Sequence, residues 1–273
     1  MGVRWQNVGS CSVGDELELA PIEVQCERKL VQFCPMDPAL GGWDISAAAW
    51  IEGQGELGDL SRQAILDPCL DQLFLNVAGL SILDVGCGEG RYARKFEARG
   101  ALVTGIDPVQ EFVDLAQRRL PSGTFIKAFG ESLPLPDSSF DVVLSYLSLV
   151  DIPDYVRAIK EMSRVLKPGG QIVMATVSNV ASTTDGWVKD SSGARLYRTV
   201  DRYMEEFAMD PAWAGLQIVN FHRPLSHILG AFFECGLVMD QFIEPLPAVD
   251  DPMYADEFRV PTFQVMSFRS APP

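Results

Sequence analysis

Residues 82–94 read Ile82-Leu83-Asp84-Val85-Gly86-Cys87-Gly88-Glu89-Gly90-Arg91-Tyr92-Ala93-Arg94. An apolar run ends in an acid, three glycines follow at alternate positions, and helical spacing then begins. This predicts a buried strand, a tight loop and a helix N-terminus, where a ligand can approach the backbone with no Cβ in the way. The acid at the strand end narrows the choice of ligand. A carboxylate there opposes a pyrophosphate and favours a group bearing a cation, such as a sulfonium or an ammonium.

Outward from this loop the chain alternates. Strands are predicted at 81–85, 102–106, 124–127, 140–145 and 171–177, and helices at 89–99, 110–119 and 154–166. The last helix is stopped by Lys167-Pro168-Gly169-Gly170. Strands of nearly continuous Val, Ile and Leu alternating with helices imply an α/β fold with a parallel sheet covered on both faces. Before the core, 43–58 read as a short helix and a Gly-rich loop. Residues 59–76 carry helical spacing that Pro68 bends or restarts. After it come a helix at 226–235 and strands at 237–244 and 262–269. Residues 1–42 are expected to be an N-terminal appendage, with a possible strand pair at 16–19 and 27–33. Residues 43–177 form the core, and 226–273 return to its sheet. The polar and aromatic stretch 178–225 is expected to be an insertion of one or two helices. It leaves the sheet at a strand's carboxyl end, where α/β ligands sit, so a lid over the substrate is its functional reading.

The 273 residues are 47% apolar and 22% charged, an ordinary globular composition for one large domain or one domain with an insertion. No apolar run approaches the roughly 20 residues a membrane span needs, and residues 1–15 lack a signal-peptide core, so a cytoplasmic location is expected. A formal charge of −15 argues against nucleic acid as a partner. The six cysteines (Cys11, Cys26, Cys34, Cys69, Cys87 and Cys235) form no C-x-x-C pair, and there are two histidines. Free thiols are expected, and no metal.

Two cofactor classes use such a glycine loop. A dinucleotide calls for G-x-G-x-x-G, but the position three after Gly88 is Arg91. A second acid, Asp107, ends the second predicted strand. It can accept hydrogen bonds from both hydroxyls of a ribose, or cap the helix that follows Pro108. Taken alone, Asp107 fits either cofactor.

The run 82–90 resembles motif I of the class I S-adenosylmethionine-dependent methyltransferases. Ile106-Asp107-Pro108 resembles the next motif, 131–145 the third and fourth strand region, and Val165-Leu-Lys-Pro-Gly-Gly170 the segment before the fifth strand. The variety is similar to the small-molecule group related to ubiquinone and menaquinone methyltransferases. The resemblance implies a Rossmann-like seven-stranded sheet whose last strand, here 262–269, is antiparallel. It implies S-adenosylmethionine as cofactor, S-adenosylhomocysteine as product, and a small-molecule acceptor methylated on O, N or C. It also assigns roles. The loop Gly86-Cys87-Gly88-Glu89-Gly90 would approach the methionine moiety, and Asp84 would orient the loop or the ammonium. Asp107, next to Pro108, would hold the ribose. Gly130, between Phe129 and Glu131, would offer its N–H to adenine. Ser145 and Tyr146 would line the methyl-transfer channel, and Arg62 would pair with the cofactor carboxylate. The family usually has Asp or Asn where this chain has Phe129, so one hydrogen bond to the adenine amino group is lost, about 0.5–1.5 kcal/mol.

Methyl transfer from a sulfonium chiefly needs alignment and exclusion of water, with a proton acceptor where the nucleophile carries a proton. His222, beyond the expected lid, is one candidate. Asp151 is another, or else it caps the helix after it. Relatives often carry histidine near Leu149–Val150, and this chain does not. The aromatic residues of the insertion suggest an apolar or aromatic acceptor, with Arg195, Arg198 and Arg223 available for an acid group. A monomer or homodimer is expected. The alternatives are an NAD-dependent oxidoreductase and a methyltransferase-like fold that binds cofactor without transferring methyl.

Overall fold

The computed structural model describes residues 40–184, 186–209 and 216–270. The strand pair expected at 16–19 and 27–33 lies outside them, as do Cys11, Cys26 and Cys34. Seven strands make the main sheet: β1 (Ser81–Val85), β2 (Leu102–Asp107), β3 (Thr124–Lys127), β4 (Phe140–Tyr146), β5 (Leu166–Val177), β10 (Val238–Ile243) and β11 (Phe263–Arg269). Their order is β10-β11-β5-β4-β1-β2-β3. The five from β5 to β3 are parallel, and β11 runs antiparallel to both β5 and β10.

Alternate residues of each strand enter opposite layers. Ile82, Val142, Leu144, Val173 and Val265 pack with α2 (Asp67–Leu73) and α3 (Arg91–Glu97). Leu83, Val143, Ile172, Met266 and Phe268 pack with α5 (Tyr155–Val165) and α6 (Leu225–Glu234). The strands lack polar alternation because both faces are covered. Helix α5 buries Ala158, Ile159, Met162 and Val165 along one stripe, each large side chain contributing about 1.5–3 kcal/mol. Asp154 caps this helix, its carboxylate accepting from the Arg157 N–H at 3.0 Å. Asp151 is therefore not the cap.

Helix α1 (Trp43–Gln54) joins α4 (Gln110–Arg119) through Trp43, which meets Phe112 at 6.1 Å between ring centroids. Leu40 packs in the same cluster and the Gly41 carbonyl accepts from Val219, so residues 40–42 belong to the core rather than to an appendage. Pro68 stands in the first turn of α2, after one wide turn at Arg62–Leu66; it restarts the helix there.

The insertion corrects one expectation. Instead of helices it holds two small antiparallel ladders, β6 (Trp187–Lys189) with β7 (Arg195–Arg198) and β8 (Phe207–Met209) with β9 (Asn220–His222). Asp190 makes the first reversal. One carboxylate oxygen accepts from the backbone of Ser192 (2.9 Å) and Ala194 (3.0 Å), and Gly193 takes a positive φ of 87°. Among the described residues, no helix is long and apolar enough to cross a membrane, and no cluster of His, Cys, Asp and Glu is arranged to hold a metal.

Candidate active site

A cavity of about 620 Å³ opens at the carboxyl edge of the sheet, within the roughly 300–1,000 Å³ typical of ligand sites. Its floor is the loops after three neighbouring strands. Gly86 and Gly88 follow β1, Asp107 and Pro108 end and follow β2, and Tyr146 ends β4, with Leu147, Ser148 and Val150 to Pro153 after it. Phe129, Gly130 and Glu131, after β3, close one side. Trp43, Trp50 and Arg62 stand over it, and Ala181, Arg198, Ile218 and Asn220 of the insertion complete the wall with Phe263.

The glycine loop is shaped from beneath. The N–H groups of Gly86 and Cys87 both donate to the Ile106 carbonyl (2.8 and 2.9 Å), and the Gly88 N–H donates to Asp107 Oδ2 (2.9 Å). Asp107 Oδ1 accepts from the Val109 N–H at 2.9 Å. Asp107 thus ties the first two crossover loops together, and it lines the cavity. Burial pushes its carboxyl up to about 6, while the two backbone N–H groups favour the charge. A Cβ on Gly88 would meet nothing within 4 Å, so its absence leaves open room in the cradle.

Three loop residues fall elsewhere. Asp84 is buried below the loop, outside the cavity wall, and makes no hydrogen bond to it; Asp107 and the Ile106 carbonyl orient the loop instead. Its Oδ1 is buried without a partner, and burial together with the Asp107 charge raises its carboxyl to about 7. Cys87 points inward, and burial raises its thiol. Gly90 lets α3 and α4 approach, since a Cβ there would lie 3.0 Å from the Ala116 Cβ.

At the end of β4, Tyr146 and Ser145 divide. Tyr146 presents its ring to the cavity, but its hydroxyl donates to Asp67 Oδ1 at 2.8 Å. Burial and the Asp67 charge raise its phenol, so it serves as wall and not as base. Asp67 also accepts from Arg91 Nη1 (2.6 Å) and Nη2 (3.0 Å). Ser145 is fully buried and does not reach the cavity. Its hydroxyl pairs with that of Ser148 at 2.8 Å and accepts from the Leu149 N–H at 3.2 Å. Within this turn Leu147, a wall residue, holds a φ of 54°, a strained conformation for a branched side chain. Arg62 is in the wall, ion-paired with Asp59 and lying 4.8 Å from the Trp50 ring centroid.

Asp151 faces the cavity, held by the side chains of Asn220 and Trp43. Burial pushes its carboxyl up to about 8. The two hydrogen bonds and the Arg62 charge oppose this, and the Asp107 charge adds to it. His222 does not face the cavity. It is fully buried, with Nε2 2.8 Å from the Tyr203 carbonyl and Nδ1 2.7 Å from Ser182 Oγ. A carbonyl only accepts, so Nε2 carries the proton, and burial lowers the pKa of the ring. Both nitrogens are committed to the insertion, which removes His222 as a base at the cofactor. Arg223 is structural too. It donates to the Leu149, Ile152 and Pro153 carbonyls and lies 4.5 Å from the Tyr155 ring centroid. Asp67, Trp43 and Asn220 were not anticipated, because long-range contacts alone bring them here.

The fold is an α/β domain whose cavity lies at the carboxyl ends of β4, β1 and β2, the place where such sheets bind ligands. Residues 83–174 match the family described as methyltransferase domain. The chain is 32% identical over 111 residues to a malonyl-[acyl-carrier protein] O-methyltransferase of Serratia marcescens, covering 40% of this chain and 44% of the relative. It is 34% identical over 116 residues to an uncharacterized methyltransferase of Mycobacterium bovis, covering 42% of this chain and 46% of the relative. The match thus spans under half the length of these curated relatives. The structure of an S-adenosylmethionine-dependent methyltransferase from Mesorhizobium loti superposes with a TM-score of 0.69 at 29% identity, over 79% of this chain and all of the other. One from Listeria monocytogenes gives 0.68 at 26% identity, over 74% and 95%. Residues 83–174 are a class I S-adenosylmethionine-dependent methyltransferase domain. The dinucleotide alternative is set aside by these matches.

Proposed function

We propose that this chain transfers the methyl group of S-adenosylmethionine to a small-molecule acceptor, with cofactor and acceptor sharing the cavity at the carboxyl edge of the sheet. The observation that carries this is the continuity of one space from the cradle of Gly86, Gly88 and Asp107 to an aromatic half walled by Trp43, Trp50, Tyr146 and Phe263. S-adenosylmethionine, when bound, supplies an electrophilic methyl on a sulfonium. The chain's residues would bind and orient. Asp107 would accept from the ribose hydroxyls, and the Gly130 N–H would meet the adenine. Arg62, already paired with Asp59, is less available to the cofactor carboxylate than an unpaired arginine. The insertion covers the acceptor end and excludes water.

Asp151 is a carboxyl in the wall that neither clamps the loop nor pairs with an arginine, and the side chains of Asn220 and Trp43 fix its position. It would take the proton of an O–H or N–H acceptor as the new bond to carbon forms. With its carboxyl pushed up to about 8 it is mostly neutral at pH 7. A cation bound in that cavity would favour the carboxylate form of Asp151, the form that can accept a proton.

Calorimetry tests both statements. S-adenosylhomocysteine should bind; no binding would overturn the proposed function. Titrations at pH 7 in buffers of different ionisation enthalpy should show S-adenosylmethionine releasing more protons than S-adenosylhomocysteine. Asp151→Asn should abolish that difference. Equal release by both ligands would remove Asp151 from the reaction while leaving cofactor binding intact.

A further inference from the structure

Among the described residues, the insertion carries one arginine without a polar partner. Arg198 lies in β7, half-buried, and contributes to the cavity wall. Its Nε is fully buried with no hydrogen-bond partner. Among the described residues its guanidinium makes no hydrogen bond or ion pair, and its one recorded contact is with the Trp187 ring, 5.1 Å from the centroid.

The neighbouring arginines behave differently. Arg195 pairs with Asp256, Arg202 with Glu205, and Arg62 with Asp59. Arg223 is absorbed by three carbonyls. Arg259, 4.3 Å from the same Trp187 ring centroid, donates to the Arg195 and Leu196 carbonyls and to Asp256. Arg259 is thus held at the Trp187 ring by its own partners, whereas Arg198 meets the same ring with no acceptor among the described residues.

A guanidinium presents five donors in a planar fork suited to an oxyanion, and a buried N–H without an acceptor is unfavourable. The surrounding wall offers Phe263, Ala181 and Ile218, which suit hydrocarbon. We propose that Arg198 is the anchor for an oxyanion group on the acceptor, so that the acceptor is an apolar molecule with one anionic end. Carboxylate, sulfonate and phosphate share this chemistry. The anchor lies outside residues 83–174, so the insertion and not the shared domain selects the acceptor. This rests on the proposed function for the location of the acceptor half.

Two dyes of similar shape separate charge from apolar burial. Protein saturated with S-adenosylhomocysteine is titrated with the anionic 1-anilinonaphthalene-8-sulfonate and the neutral N-phenyl-1-naphthylamine, following dye fluorescence. Arg198→Met should weaken the sulfonate dye by about tenfold or more, the scale of one charge-assisted contact, and leave the neutral dye unchanged. Arg198→Lys should recover part of the loss. The inference is overturned if Arg198→Met leaves the sulfonate dye unaffected, if both dyes weaken together, or if neither binds the wild-type protein. Failure of S-adenosylhomocysteine to bind in the first step would instead overturn the proposed function.

Discussion

Gly86→Ala is expected to give a protein that is markedly less stable and binds S-adenosylhomocysteine poorly. A Cβ at this position would lie 2.3 Å from the Ser148 Cβ and 3.0 Å from its Oγ. Neither can retreat freely. The Ser148 hydroxyl donates to the Val85 carbonyl and pairs with Ser145, and Leu147 beside it is already strained at a φ of 54°. Gly86 itself has a φ of 74°, which costs an L-residue about 1–2 kcal/mol. Overpacking adds about 1–3 kcal/mol. The combined loss is a large part of the roughly 5–15 kcal/mol that holds a domain folded. Gly88→Ala provides the contrast. Its φ is 54°, but a Cβ there meets no atom, so only the conformational cost applies to stability while the methyl enters the cradle. Urea midpoints should therefore fall much further for Gly86→Ala, while cofactor affinity falls for both. Equal midpoints for the two variants would contradict the packing described around Ser148.

Asp107→Ala is expected to lower the affinity for S-adenosylhomocysteine by about one to two orders of magnitude, since hydrogen bonds to a charged acceptor are each worth about 1.5–3 kcal/mol. Two losses combine. The ribose hydroxyls would lose the acceptor proposed for them, and the N–H groups of Gly88 and Val109 lose theirs. Asp107→Asn, which keeps one oxygen, should fall between alanine and wild type. Ionisation should matter as well. The folded carboxyl titrates near 6, so the charged acceptor is lost as pH falls through 6 and affinity should decline there. The stability sign is the opposite. An acid whose folded pKa lies above its ordinary value of 3.8 keeps its proton longer when folded, so between about 4 and 6 the apo protein loses this contribution as pH rises. Calorimetry between pH 5 and 8 checks the first trend and thermal unfolding the second. An unchanged affinity in a folded Asp107→Ala protein would separate this acid from the ribose.

The core strands and the glycine loop were legible because local rules govern them. Continuous Val, Ile and Leu mark a strand covered on both faces, and glycine marks positive φ. The helix cap was a near miss. Asp151 and Asp154 both precede α5, and only hydrogen-bond geometry shows that Asp154 caps while Asp151 turns to the cavity. Side-chain direction was the weaker reading. Ser145 and Tyr146 are adjacent on one strand and must face opposite ways, so the channel could take only one of them. The insertion was misread because its aromatic and polar residues follow neither helical nor strand spacing; the turn at Asp190-Ser-Ser-Gly193 was the local signal available. A register shift in the ladder of β6 and β7 sets Arg198 opposite Trp187 and Arg195 opposite Lys189, so simple alternation could not have told the two arginines apart. Nothing local could reveal that His222 is spent on Ser182 and the Tyr203 carbonyl.

Strand β11 lies between β10 and β5, inside the sheet, and Phe263 at its start is part of the cavity wall. A chain cut before residue 263 would therefore lose both a central strand and a cavity-wall residue, while every residue of the glycine loop stayed in place.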